Sequence, residues 1–174
     1  MSISNIVIRA ATEVDLPILN QEVRPEYGRT NADDLSDQLD GRLTFVTAWL
    51  QHNDTEEFVG AGFVMWTGPR RPAVYERYPR CPEICRLGVK PKYRSQGIGT
   101  QMLAACEAEA IKRGFEMIGL GVSVENPDAD RLYTRLGYQL SAVSHYIDEY
   151  KLKRPNDEGV TMQEPAKFLV KVLV

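Results

Sequence analysis

The chain has 174 residues, of which 43% are apolar and 26% charged, with a formal net charge of −3. That length suits one domain with a substantial core, and the balance excludes a disordered chain. A charge this close to zero sets up no general field towards nucleic acid or an anionic membrane. No apolar run approaches the ~20 residues of a spanning helix, and Met1-Ser2-Ile3-Ser4-Asn5 has no leader pattern, so a cytoplasmic protein is expected.

Ile6-Val7-Ile8-Arg9 is a β-rich run closed by Ala10-Ala11-Thr12. Thr12 or Asp15 caps a helix entered through Leu16-Pro17-Ile18-Leu19, where a first-turn proline is tolerated. A second helix fits Asp34 to Leu39, ending at Gly41. Leu43 to Trp49 and Phe58 to Trp66 read as strands, and His52-Asn53-Asp54 supplies the turn of an antiparallel hairpin. Residues 68–82 hold four prolines and four arginines and are expected to be irregular. Glu83 to Val89 is the next strand, stopped by Pro91. From Gly97 to Arg113 the period turns helical, with Met102, Leu103, Cys106 and Ala110 on one stripe and Gly114 as terminator. Met117 to Val124 is a strand, Pro127 to Leu136 a helix ended by Gly137, Tyr138 to Tyr146 a strand, and Lys167 to Val174 the last one. The pattern implies an α+β chain forming a single domain over residues 1–174. Its sheet is mixed, mostly antiparallel, of six to seven strands flanked by about four helices.

Cys81, Cys85 and Cys106 make an odd count spread over strand-like and helix-like runs, which argues against a disulfide framework. Cys81 and Cys85 lack the usual metal-pair spacing, and neither His52 nor His145 is near them, so no metal is expected.

The most informative stretch is Val89-Lys90-Pro91-Lys92-Tyr93-Arg94-Ser95-Gln96-Gly97-Ile98-Gly99-Thr100. A strand ends, a loop with two glycines follows, and a helix begins. Glycine lets backbone approach a ligand closely, and the first-turn N–H groups lack intrahelical partners, which makes a phosphate site. Arg94 can add charge-assisted contacts. A Walker loop is excluded because Thr100 and Gln101 follow Gly99 where Lys-Ser/Thr is required. A dinucleotide fingerprint is excluded because no third glycine stands at Met102.

Arg94-Ser95-Gln96-Gly97-Ile98-Gly99 resembles the Arg/Gln-x-x-Gly-x-Gly/Ala pyrophosphate loop of the GNAT acetyltransferases, with Ser95 where many members carry glycine. Upstream, Glu83-Ile84-Cys85-Arg86-Leu87-Gly88-Val89 is similar to that family's central strand. Downstream, Asn126 to Tyr138 is similar to its Asn-x-x-Ala-x-x-Leu-Tyr-x-x-x-Gly-Phe/Tyr segment. Ile8-Arg9-Ala10-Ala11-Thr12 with Asp15-Leu16 fits its first strand and turn.

The resemblance implies the GNAT fold and acetyl-CoA, or coenzyme A, as co-substrate. Backbone of Gln96, Gly97, Ile98, Gly99 and Thr100 would hold the pyrophosphate, and Leu87 and Val89 would pair with the pantetheine arm. The Leu87 N–H would face the oxyanion of a tetrahedral intermediate. Asn126 would bind cofactor or cap the helix before Pro127. Glu83 would take the amine proton; strand alternation puts Glu83, Cys85, Leu87 and Val89 on one face. Glu83 and Leu87 would then be ~13 Å apart on an ideal strand, so proton transfer needs a bulge or a bridging water. Tyr133 would protonate the leaving thiolate. The plainer readings are a solvent-facing strand-end glutamate and a helix tyrosine packed beside Leu132 and Leu136. An acyl-Cys85 route is rejected, since no histidine neighbours it in sequence.

The acceptor is expected to be a small-molecule or peptide amine, with no nucleic acid and no membrane partner; a homodimer stays open. Glu22, Glu26, Asp33, Asp34, Asp37, Asp40, Asp148, Glu149, Asp157 and Glu158 would suit a cationic amine if they wall the site, or simply form a solvated face. Arg70, Arg71, Arg77 and Arg80 could meet adenosine phosphates, an acidic substrate or a second subunit. The competing function is a non-catalytic acyl-CoA-binding or sensing module, which has no need of Glu83 or Tyr133. A nucleotide-binding domain is disfavoured by the missing Lys-Ser/Thr.

Overall fold

A computed structural model describes residues 5–153, 156 and 158–174. Chain order is β1 (Ile6–Ala10), a 3-10 turn (Glu13–Asp15), α1 (Leu16–Glu22), α2 (Asn31–Leu39), β2 (Leu43–His52), β3 (Thr55–Met65) and α3 (Pro72–Tyr75). It continues with β4 (Glu83–Val89), a 3-10 turn (Pro91–Tyr93), α4 (Ile98–Lys112), β5 (Met117–Ser123), α5 (Pro127–Arg135), β6 (Gln139–Leu140), β7 (Tyr146–Lys153) and β8 (Gly159–Val172). The eight strands form one sheet in the order β1-β2-β3-β4-β5-β8-β6, with β7 also on β8. Every pairing is antiparallel except that of β4 with β5. The expected α+β class and mixed, mostly antiparallel sheet are observed, with eight strands and five α-helices among the described residues.

The sheet buries apolar side chains on both faces. One face packs Val64, Ile84 and Leu120 against Met102, Leu103, Cys106 and Ala110 of α4, the stripe read from the sequence. The other packs Phe45, Phe63 and Cys85 against Leu19 of α1 and Leu35 of α2. α2 starts at a capping box: Thr30 Oγ1 accepts the Asp33 N–H at 3.1 Å, and the Asp33 carboxylate accepts the Thr30 N–H at 2.8 Å. α4 ends at Gly114, whose φ of +81° is the left-handed conformation glycine adopts without strain.

Three expectations are corrected. The stretch 68–82 is not wholly irregular, since Pro72–Tyr75 forms α3 with proline in its first turn. The single strand expected over 138–146 is broken after Leu140: Ser141 Oγ accepts the Val143 N–H at 3.0 Å, and this local bond competes with the ladder. The last strand begins at Gly159 rather than Lys167, and its first part pairs with β7, from Tyr146↔Ala166 to Lys153↔Gly159. Pro165 lies just past the last β5 pair, Ser123↔Ala166; its C=O still accepts the Val124 N–H at 3.0 Å, and its missing N–H falls where that ladder ends.

Asp15 ties β1 to the following turn. Its carboxylate takes two bonds from Arg9, at 2.7 and 2.9 Å, and accepts the Thr12 N–H at 2.8 Å. The Arg9 guanidinium holds this carboxyl below its ordinary value near 3.8. A depressed carboxylate contributes stability above the unfolded value and loses it as pH falls through the folded one. Asp15→Asn should therefore cost about 1–3 kcal/mol at pH 7. In urea unfolding the gap between wild type and variant should narrow below about pH 4.

Candidate active site

β4 and β5 pair only at Glu83↔Gly119 and Ile84↔Leu120. Beyond that point β4 keeps β3 on one side but leaves β5, so its other edge from Cys85 to Val89 opens on a cleft. On the β3 side the register steps from Phe63↔Cys85 to Ala61↔Gly88, which sets Arg86 and Leu87 opposite Gly62. This is a bulge with Arg86 in the left-handed region at φ +53°, a conformation usually left to glycine. Gly62 makes room for it, because a Cβ there would lie 2.6 Å from Leu87 Cδ1. The bulge corrects the alternation reading. Cys85 stays in the α1–α2 core, whereas Leu87 and Val89 turn to the α4 side.

Glu83 sits where the two strands part. It is 4% exposed, which removes the solvent-facing reading. Its Oε2 accepts the backbone N–H of Arg70 at 2.9 Å and the Arg70 Nε–H at 3.2 Å. Arg70 Nη1 continues to Glu26 Oε1 at 2.5 Å; burial works against the Arg70 charge, yet its negative surroundings, Glu83 and Glu26 among them, push its pKa up. Tyr146 of β7 closes the same spot. A Cβ on Gly121 would lie 2.3 Å from Tyr146 Oη, so glycine on β5 is what admits the ring. Burial, then the Glu83 charge, raises the Tyr146 phenol, which stays protonated at neutral pH. Sequence reasoning missed Tyr146; the alternate glycines Gly119 and Gly121 within one strand were the available signal of close approach.

At the other end of β4 the chain makes the Pro91–Tyr93 turn and enters α4. Ser95 at φ +60° and Gly97 at φ +82° are both left-handed, and Gly97 caps the helix. The first amide to bond back is Gln101, to Gly97 C=O at 3.0 Å, so the N–H groups of Ile98, Gly99 and Thr100 precede the ladder. Arg94 does not extend over this helix start. Its Nε–H donates to Val89 C=O at 3.0 Å, and Gln96 Nε2 donates to Lys92 C=O at 3.2 Å, so both brace the loop. Val89 turns that carbonyl away from β3, since the next amide, Lys90 N–H, bonds Val59 C=O at 2.8 Å.

Tyr133 of α5 is half-buried against the α4-side core, edge-on to Tyr138 with ring centroids 5.9 Å apart. Burial raises its phenol above the ordinary value, so it too stays protonated at neutral pH. Glu83 and Tyr133 thus lie on opposite sides of the sheet, with the parted strands between them. Asn126 Oδ1 accepts the Ala129 N–H at 3.1 Å and caps α5 ahead of Pro127. The Cys85 thiol is buried and pushed up to about 12, a poor nucleophile at neutral pH.

Glu83 faces a cavity of about 310 Å³ walled by the segment after α1, the arginine-rich connection before β4, and β7. Few of the acidic residues that might have walled it do so. Glu22 is held by Lys90, Asp34 by Arg29, and Asp37 and Asp40 by Arg42. Glu26 and Asp148 do reach the cavity, each bound by an arginine, Arg70 and Arg71 respectively. Asp157 lies outside the described residues.

A mixed sheet parted at its one parallel junction, beside a glycine-opened helix start, defines an acyltransferase-type fold. Residues 13–138 match the family model described as Acetyltransferase (GNAT) family, and the chain belongs to that family. An aminoalkylphosphonate N-acetyltransferase of Salmonella typhimurium is 44% identical over 59 residues, which is 34% of this chain and 38% of that one. An uncharacterised N-acetyltransferase of Methanocaldococcus jannaschii is 40% identical over 57 residues, 33% of this chain and 25% of that one. The matched stretches thus span well under half of these relatives. Among solved structures, the Vibrio cholerae spermidine N-acetyltransferase in complex with CoA and spermine aligns at TM-score 0.68 and 15% identity, over 98% of this chain and 96% of that one. A GNAT acetyltransferase of Elizabethkingia anophelis with acetyl-CoA bound aligns at TM-score 0.58 and 18% identity, over 98% and 99%. At such identities the likeness is one of fold. No helix among the described residues is long and apolar enough to cross a membrane.

Proposed function

We propose that the chain is a single-unit N-acetyltransferase that moves an acetyl group from acetyl-CoA to a primary amine by direct attack. The observation that carries the reading is the parting of β4 from β5 beside the start of α4, with Glu83 at the apex and the left-handed Gly97 at the far end. The pyrophosphate of coenzyme A takes the free N–H groups of the Gln96–Thr100 stretch, where the helix dipole favours anions. Ser95 keeps the loop's turn, and Arg94 acts by bracing it. The pantetheine arm lies along the open edge of β4 at Leu87 and Val89, standing in for the missing strand. The Leu87 N–H, carried on the bulge, stabilises the oxyanion as the amine nitrogen bonds to the thioester carbon. Glu83 takes the ammonium proton, directly or through a water, and the neutral amine attacks. Collapse breaks the C–S bond as Tyr133 gives its proton to the thiolate, and the second proton shed by the nitrogen restores the Tyr133 phenol through solvent. Asn126 holds the start of α5 so that Tyr133 is presented to the cleft. Relatives with acceptors as different as an aminoalkylphosphonate and spermidine support an amine acceptor without choosing one. Neither a membrane nor nucleic acid is needed by this chemistry.

Coenzyme A at about 100 times its Kd should raise the melting temperature by about 5–10 °C, because a ligand of the folded state alone stabilises by mass action. Differential scanning fluorimetry reads this directly. No shift at millimolar coenzyme A would remove the cofactor half of the reading.

A further inference from the structure

We infer that the acceptor is a small amine carrying an anionic group, a phosphonate, phosphate or carboxylate, a few bonds from its nitrogen. The inference rests on the acetyl-transfer reading and names its substrate class. The cavity before Glu83 is lined by five cations, Arg24, Arg70, Arg71, Arg86 and Lys151, against three carboxylates, Glu26, Glu83 and Asp148. All three carboxylates are spent on internal pairs: Arg70 holds Glu83 and Glu26, and Arg71 holds Asp148. The remainder is positive. Arg24 and Lys151 are exposed and form no ion pair among the described residues, although Lys151 lies 6.0 Å from the Tyr27 ring.

Arg86 is the third cation without a full partner, and it is held in place. Its guanidinium lies 4.5 Å from the centre of the Phe63 ring and donates to the Arg24 carbonyl. The nearest carboxylate, on Asp34, is 3.9 Å away and already bonds Arg29 at 3.0 Å. The left-handed bulge position puts this arginine, rather than a glycine, beside the mouth of the cavity. A fixed planar guanidinium that shares its cavity with two cations lacking an ion pair among the described residues is suited to a tetrahedral or planar oxyanion.

Charge also decides what is excluded. A simple amine is protonated at neutral pH, so a polyamine would bring several positive charges into a cavity that already has two in excess. An aminoalkyl acid brings its own anion. A volume of about 310 Å³ is at the small end for ligand sites, which favours a short acceptor over a long polyamine or a folded peptide. Of the acidic residues that suggested a cationic acceptor, Glu22, Asp34, Asp37 and Asp40 are paired away from the cavity, and Glu26 and Asp148 reach it already bound to Arg70 and Arg71.

The test pairs turnover with binding. Acetyl-CoA and wild-type protein are assayed at one pH with 2-aminoethylphosphonate, β-alanine, propylamine and spermidine. The expected result is a kcat/KM at least about tenfold higher for one or both anionic amines than for propylamine or spermidine. The phosphonate and carboxylate arms distinguish the two anions. Arg24→Gln and Lys151→Gln should each raise KM for the anionic amine several-fold and lower its preference over propylamine. Spermidine or propylamine turned over best, or unchanged anionic KM in both variants, would overturn the inference. Calorimetric titration of 2-aminoethylphosphonate into the CoA-loaded protein separates it from the transfer reading. Binding that weakens in both variants but with no amine acetylated would retain the anion site and sink acetyl transfer. No binding and no anionic preference would sink the anion site.

Discussion

Glu83→Gln should lower amine-dependent turnover by about 10²–10⁴-fold while coenzyme A affinity is retained, because the amine can attack only after losing its proton. The loss should shrink as pH rises, where more of the amine is already neutral. The substitution also leaves Arg70 with Glu26 as its one remaining carboxylate, so a lower melting temperature is expected and must be measured beside the rate. A rate deficit at temperatures where the variant is folded reports proton transfer. Wild-type rates across the pH range would assign Glu83 to the ion pair alone. Tyr133→Phe is the contrast: it should slow turnover without rescue by high pH, since its proton is needed at collapse. The effect should be smaller, because a thiolate leaves tolerably well on its own.

Blocking the backbone of the loop should abolish coenzyme A binding. Gly99 and Gly97 separate two causes that are often confounded. A Cβ on Gly99 would meet only Val89 Cγ2, at 3.9 Å, so the fold has room for it. Loss of coenzyme A affinity in Gly99→Val therefore reports obstruction of a ligand. Gly97, at φ +82°, would also lose about 1–2 kcal/mol to backbone strain if it gained a side chain. Gly97→Val should accordingly lose both affinity and some melting temperature, and Gly99→Val mainly affinity. Calorimetry with coenzyme A checks both, and unchanged affinity in the pair would put the phosphates elsewhere.

What the sequence disclosed follows from the range of the interactions concerned. The α4 stripe, the stop at Gly114 and the two-glycine loop are local, and periodicity or φ preference reveals them. The arrangement around Glu83 is not local. Its partner Arg70 lies 13 residues away, and Arg70 reaches a further 44 residues back to Glu26. The bulge at Arg86–Leu87 depends on Gly62 of another strand, so alternation read along β4 alone put Leu87 on the wrong face. β7 escaped notice because half of its residues are charged, and because β8 contains a proline, tolerated where the β5 ladder ends. The charge of the acceptor cavity was the hardest to read. Acidic residues outnumber basic ones near α2 in the sequence, yet ion pairing removes them from the site.

The central claim is acetyl transfer itself, and amine-dependent release of free coenzyme A thiol from acetyl-CoA tests it most directly. Wild-type protein should release thiol at a rate that saturates with at least one amine, with an equimolar N-acetyl product recovered. Coenzyme A binding without thiol release for any amine in a broad panel would contradict the claim and mark the fold as an acyl-CoA-binding module.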